Sequence, residues 1–373
     1  IFIIIYLNVL DGGKSVSTLK EVADQAGVSI ATVSLVLNGK TTVSEATREK
    51  VLACIESLNY RPNMVPRGFK TKKTMAIAVL LPTITNPIYA SFIHTVEYLA
   101  HENNYQVILF SYDHENILSN FDYLTDLYDR MVDGIIICGI PPLPAPNHTK
   151  KAKQIMQAFR EKKTPFIFYN EEEQFSVFLD TFDIPKNDSN FMLLKIDREQ
   201  AVYEAVKHLI HTGHTRIGFI GEGVVNTYPQ NIPYHKKLAG YKKALLEAGI
   251  PFSSELLVTG TDGYQGGADC FSHLSSLEDP PTAYVGTGDT ISLGIVSAAI
   301  KAGFSIPDQI AVIGFDNIQE ASFWNPKLST ISVPIYEIAK AAFTNLLLLM
   351  GGGAIPFTIK SFDTQLILRE SSH

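Results

Sequence analysis

The sequence is short of cysteine, of tryptophan and of charge. Three cysteines, Cys54, Cys138 and Cys270, lie far apart in 373 residues. That number and spacing supply no disulfide framework and no metal cluster, and they fit a reducing cytoplasm. Charged residues make up 18% against 46% apolar, a balance that excludes a disordered chain. Long apolar runs are also lacking. Ile1–Leu10 is apolar but too short for a bilayer, which takes roughly 20 residues, and no basic stretch precedes it. Residues 1–17 are read as an N-terminal extension, an artefact or disordered, and no membrane role is expected. Net positive charge is missing overall, at −7, yet Lys14–Lys73 carries ten Lys or Arg against five Asp or Glu. A basic end on an acidic body suggests that one end meets a polyanion.

Residues 18–61 read as three short helices. Thr18-Leu-Lys-Glu21 has the form of a capping box, and Val22, Ala23 and Ala26 make a narrow apolar stripe before Gly27. Ser29 opens a second helix that runs to Asn38, and Ser44 a third that carries Val51, Leu52, Ile55 and Leu58. Helix, glycine turn, helix is the helix-turn-helix arrangement. Three unremarkable helices of a larger core are the plainer alternative.

From Met75 the pattern changes to apolar runs alternating with amphipathic stretches. The runs are Met75–Leu81, Gln106–Phe110, Gly134–Cys138, Pro165–Tyr169, Arg216–Ile220, Thr282–Gly286 and Ile310–Phe315. Strand–helix alternation predicts doubly wound parallel sheets, and its two occurrences predict two lobes. Glu171–Asn190, acidic and aromatic, reads as a surface insertion. The expected fold is α/β: a small all-α head, then two doubly wound lobes whose strand ends face a shared crevice, the usual place for a small ligand.

Thr18-Leu-Lys-Glu-Val-Ala-Asp-Gln-Ala-Gly-Val-Ser-Ile-Ala-Thr-Val-Ser-Leu-Val-Leu-Asn38 resembles the headpiece of the lactose-repressor (LacI/GalR) family nearly position for position. Val43–Val51 and Leu58-Asn-Tyr-Arg-Pro-Asn63 continue the likeness. Further motifs resemble that family's sensor domain, itself similar to periplasmic sugar-binding proteins. They are Pro82–Tyr89, Arg130–Ile137, Gly213–Ile220, Leu238–Tyr241, Gly288-Asp289 and Val312-Ile-Gly-Phe-Asp316.

The resemblance implies a cytoplasmic, homodimeric transcriptional repressor on a pseudo-palindromic double-stranded operator, controlled by a small effector of the sugar class. It implies a head at 18–62, a hinge at 63–74 and an effector-binding and dimerisation region at 75–373. Within that region it puts lobe 1 at about 75–175 and 323–352, and lobe 2 at about 190–320 and 353–373. Ile30, Ala31 and Leu35 take the base-reading positions; Thr18, Ser29, Thr32, Ser34, Asn38, Ser44 and Thr47 take phosphate-contacting ones. Phe69, with Arg67 beside it, stands where the family wedges a leucine into the minor groove. Asp289 matches an effector-contacting carboxylate, and Ile88 and Tyr89 a first-lobe wall. Asn170 replaces a usual aspartate, Lys237 a usual arginine and Asp262 a usual aromatic. Trp324 precedes the point where the family chain crosses between lobes and is placed at the cleft.

Other classes fit less well. A solute-binding protein acting without DNA would need an export signal, which the sequence does not supply. An enzyme would need a nucleophile elbow, phosphate loop or metal set in credible context. Gly221-Glu-Gly223 is half of a dinucleotide fingerprint, and His211 and His214 fall at a turn into a strand, so neither cofactor nor metal is expected.

Overall fold

In the computed structural model the described residues are 17–37, 42–60, 73–111, 123–139, 149–222, 232–261, 263–355 and 358–372. Asn38, Arg67, Phe69 and Asp262, with most of the N-terminal extension and of the hinge, lie outside them. The chain forms two compact units that meet at Thr74 and Met75, each with its own core.

The first unit holds α1 (Leu19–Ala26), α2 (Ile30–Leu37) and α3 (Glu45–Ser57). The capping box forms: Thr18 Oγ1 accepts from the Glu21 amide, and the Glu21 side chain accepts from the Thr18 amide. Gly27 closes α1 at φ +63°, a left-handed turn that a side chain resists. Val22, Ala23 and Ala26 of α1 are buried with Val33, Val36 and Val51 of the other two helices. Side chains this small suit a unit with so little interior.

The second unit contains two six-stranded sheets. The first has the order β11-β5-β4-β3-β1-β2, all parallel. Its strands are β1 (Ala76–Leu81), β2 (Gln106–Ser111), β3 (Gly134–Cys138), β4 (Phe166–Tyr169), β5 (Phe191–Ile196) and β11 (Ile359–Phe362). The second runs β12-β10-β9-β8-β6-β7, parallel except at β12. It comprises β6 (Ile217–Glu222), β7 (Leu257–Gly260), β8 (Ala283–Gly286), β9 (Ala311–Asp316), β10 (Ser329–Ser332) and β12 (Gln365–Ile367).

Helices cover both faces of each sheet, which is why the central strands read as unbroken apolar runs. Behind the first sheet α5 (Tyr123–Asp129), α6 (Thr149–Glu161) and α7 (Glu172–Thr181) bury Leu124, Phe159 and Phe178. On its other face lie α4 (Pro87–Glu102) and α12 (Ile335–Met350), whose cluster continues into α8 (Arg198–His211) and α9 (Ile232–Glu247) of the second lobe. α10 (Gly263–Ser275) and α11 (Asp289–Lys301) close the far side.

Three expectations need correction. Residues 171–190 are no surface insertion, because α7 buries Phe175, Phe178 and Leu179 and serves as the crossover from β4 to β5. That crossover returns β5 to the first sheet, whereas a lobe boundary near 190 puts it in the second. The later boundaries move as well: β10 pairs in the second sheet and β11 in the first, so the chain changes lobe near 197, 333 and 363. The crossing therefore follows β10 and does not lie beside Trp324, which packs on the second lobe.

Candidate functional site

In the first unit α2 turns an exposed face outward among the described residues. Ile30 and Leu35, 48% and 38% exposed, share the open side of α2 with Ala31. Their apolar surface suits thymine methyls and supplies no bidentate hydrogen bonds. Around them the hydroxyls serve helix starts. Ser29 accepts from the Thr32 amide at 3.1 Å, and Ser44 from the Thr47 amide at 3.4 Å. Ser29 and Thr32, and likewise Ser44 and Thr47, also hydrogen-bond through their hydroxyls. Ser34 is half-buried on α2. Helix starts with exposed hydroxyls and amides are natural phosphate contacts.

In the second unit the carboxyl ends of the parallel strands place a different set of groups together. From the first lobe come Tyr89 on α4, Tyr169 at the end of β4, and Asn170 and Glu171 beyond it. From the second come Arg198 at the start of α8, Lys237 on α9, Thr287 beyond β8 and Asp316 at the end of β9. Tyr89 and Tyr169 both lie within electrostatic reach of Asp316 and Arg198, which brings the two lobes to one crevice. Arg198 is ion-paired with Glu171 and stands 5.5 Å from the Tyr169 ring centroid. Lys237 Nζ donates to the Thr287 carbonyl at 2.5 Å and sits 3.9 Å over the Phe315 ring.

Asp316 brings a second carboxylate to this crevice, and residue-pattern reasoning assigned it no role. Burial pushes its pKa up, to about 7, against the pull of Lys237 and Arg198 and with the help of Asp289. Its backbone has φ +111°, a conformation that costs a non-glycine residue about 1–3 kcal/mol. Its position as the last residue of an apolar strand was the signal available in the sequence.

Asp289, expected to touch the effector, is fully buried and employed inside its own lobe. Oδ1 accepts from Thr330 Oγ1 at 2.5 Å and Oδ2 from the Ile318 amide at 2.8 Å. Burial raises its pKa to about 7 although both hydrogen bonds lower it. Gly288 is the helix cap and Asp289 the first residue of α11. Asn170 is also internally satisfied, donating to the Gly139 carbonyl at 2.6 Å and accepting from the Glu171 amide at 2.8 Å. Ile88 is buried in the lobe-1 core, while its neighbour Tyr89 stays at the edge. Trp324 stacks on Tyr264, centroids 6.1 Å apart. His211 and His214 are bonded separately, to the Lys207 carbonyl and to Thr282. Among the described residues no His, Cys, Asp and Glu group of three or more could hold a metal, and no helix is long and apolar enough to cross a membrane.

Family models match stretches of both units. Residues 18–63 match the model for bacterial regulatory proteins of the lacI family, and residues 206–372 that for a periplasmic binding protein-like domain. Catabolite control protein A of Priestia megaterium is 33% identical over 95% of this chain and 99% of its own length. The chain belongs to the LacI family. It is a DNA-binding transcriptional regulator, as its curated relatives are, and not an enzyme. Two solved structures share the fold. The lac repressor dimer bound to operator and the anti-inducer ONPF has a TM-score of 0.78 at 21% identity, covering 96% of this chain and 99% of that one. A complex of the transcriptional regulator CelR with cellobiose has a TM-score of 0.63 at 24% identity, covering 95% and 99%.

Proposed function

We propose that this LacI-family regulator is a homodimeric repressor whose hold on a pseudo-palindromic operator is set by a small polyhydroxy effector, a sugar or sugar derivative, in the crevice between its lobes. The observation that carries the effector half is the convergence of Tyr89, Tyr169, Arg198, Lys237 and Asp316 at the ends of parallel strands. A carboxylate walled by aromatic rings can accept from one sugar hydroxyl while the lysine beside it donates to the next. In this reading Tyr89, Lys237 and Asp316 touch the effector, while Asp289 and Asn170 hold the surrounding loops. The cellobiose in the CelR complex supports a sugar; Lys237, a point charge, alters which sugar is preferred.

On the DNA side, Ile30, Ala31 and Leu35 meet base edges, and the helix starts at Thr18, Ser29 and Ser44 meet phosphates together with Thr32, Ser34 and Thr47. Two heads on one operator require a dimer, and the lac repressor dimer on its operator is the precedent. The test joins a thermal-shift screen of mono- and disaccharides, sugar phosphates, polyols and nucleosides to operator binding with and without each hit. A ligand at about 100 times its dissociation constant adds about 2.7 kcal/mol of stability. A hit that also changes operator affinity supports the reading. Hits confined to nucleosides, or hits without effect on DNA, sink it.

A further inference from the structure

At one edge of the second unit charged groups of the two lobes meet, beside the apolar cluster that runs from α4 and α12 into α8 and α9. The crossover helix α7 is fixed to the first sheet through Phe175 and Phe178, and its start presents Glu171 and Glu173 toward the second lobe. Opposite stand Arg198, the first residue of α8, and Lys236 on α9. Glu171 pairs with Arg198, their side chains only 6% and 11% exposed. Glu173 pairs with Lys236 at 2.5 Å, both partly exposed. Beside them lies an 810 Å³ cavity with a polar lining, to which all four residues contribute. The cavity opens this edge to solvent, so the partly exposed Glu173–Lys236 pair responds to charge and to salt.

Arg198 belongs to both regions. Its guanidinium stands near the Tyr169 ring, and its charge acts on Tyr89, Tyr169 and Asp316 in the crevice. We propose that Glu171–Arg198 and Glu173–Lys236 form an ionic latch between the lobes that sets the balance of open and closed crevice. The inference rests on the effector reading only for its regulatory consequence: a ligand that draws Arg198 toward the crevice loosens the latch, and one that neutralises Asp316 leaves it shut. An exposed pair of the Glu173–Lys236 kind shifts a two-state balance by about twofold to fivefold.

The experiment measures the distance across the crevice in the full chain, without DNA or effector. Spin labels go on cysteines introduced at Lys150 and Gln319, both exposed and one in each lobe, in a Cys54→Ser background; Cys138 and Cys270 are buried. Lys236→Glu sets two carboxylates against each other and lengthens the distance, and Glu173→Lys with Lys236→Glu restores it. Raising salt from about 0.1 M to about 1 M cuts the Debye length from about 10 Å to about 3 Å, and it lengthens the distance in the wild type. An unchanged distance in Lys236→Glu, or a swapped pair that stays as open as the single variant, overturns the latch. Because no ligand enters, such a failure leaves the effector reading standing, and a blank ligand screen leaves the latch standing.

Discussion

Gly314→Ala tests the internal frame that holds Asp316. A Cβ built on Gly314 would stand 2.1 Å from Asp289 Oδ1 and 2.9 Å from Leu328 Cδ2. Ordinary contact begins about 1 Å farther out, and Asp289 is wedged between Thr330 and the Ile318 amide, so it moves only by giving up a bond. A hydrogen bond to the protonated carboxyl contributes about 0.5–1.5 kcal/mol, and overpacking adds about 1–3 kcal/mol. The sum is about 1.5–4.5 kcal/mol, which at about 2–4 °C per kcal/mol lowers the melting temperature by roughly 3–18 °C. Thermal unfolding followed by circular dichroism reads the loss directly. The control is Asp289→Ala, which removes the obstructing oxygen at its own separate cost. In that background Gly314→Ala is expected to add less than about 1 kcal/mol, a non-additivity that marks direct contact. If the two substitutions are additive, or if Gly314→Ala melts within about 1 °C of the wild type, the close approach of backbone and carboxylate is refuted.

Three further outcomes follow from the geometry. Thr18→Ala breaks the capping box and is expected to cost the first unit about 1 kcal/mol, visible as faster amide exchange at Leu19–Glu21. Asp289, with its pKa raised to about 7, stays protonated in the fold at pH values where the unfolded chain is ionised, so folding takes up a proton. Its contribution therefore weakens as pH climbs from about 4 to about 7, together with that of Asp316; Asp289→Asn makes the slope shallower, and a urea-midpoint profile as steep as the wild type speaks against Asp289. Leu35→Ala is expected to lower discrimination against base changes in the operator by about 1 kcal/mol while binding to scrambled DNA stays level, which competition binding separates.

The head was legible in detail because its signals are local. Thr18, Glu21, Gly27, Ser29 and Ser44 act within one helical turn of where they stand. The central strands were legible too, since burial on both faces writes an apolar run such as Gly134–Cys138. Edges were not. β11 alternates exposed and half-buried positions, and β7 is half-buried throughout, so neither stands out from its surroundings. Lobe membership was hidden for a different reason: β5 reads like any buried strand, and only pairing with β4 and β11 assigns it to the first sheet. The same limit applied to carboxylates. Asp289 and Asp316 look equally suited to a ligand, and what separates them is which one has its oxygens occupied by partners distant in sequence.

That division of labour explains why the loop after β9 can hold Asp316 in a strained backbone. Asp289 anchors the Ile318 amide on one side of it, and Thr330 Oγ1 bonds both to Asp289 and to the Asn317 amide. Arg369, from the end of the chain, reaches the same loop: Nη2 donates to Asn317 Oδ1 and Nη1 to the Leu328 carbonyl, each at 2.7 Å. Gly314 lies beneath, where any side chain would displace the carboxylate. Buried bonds of this number offset the strain at Asp316 and leave that residue little freedom to move alone. An effector that pulls on Asp316 therefore pulls on Asp289, Thr330 and Arg369 together. If the proposed latch holds the lobes together, the second lobe responds as a body and yields at the polar edge where α7 meets α8 and α9.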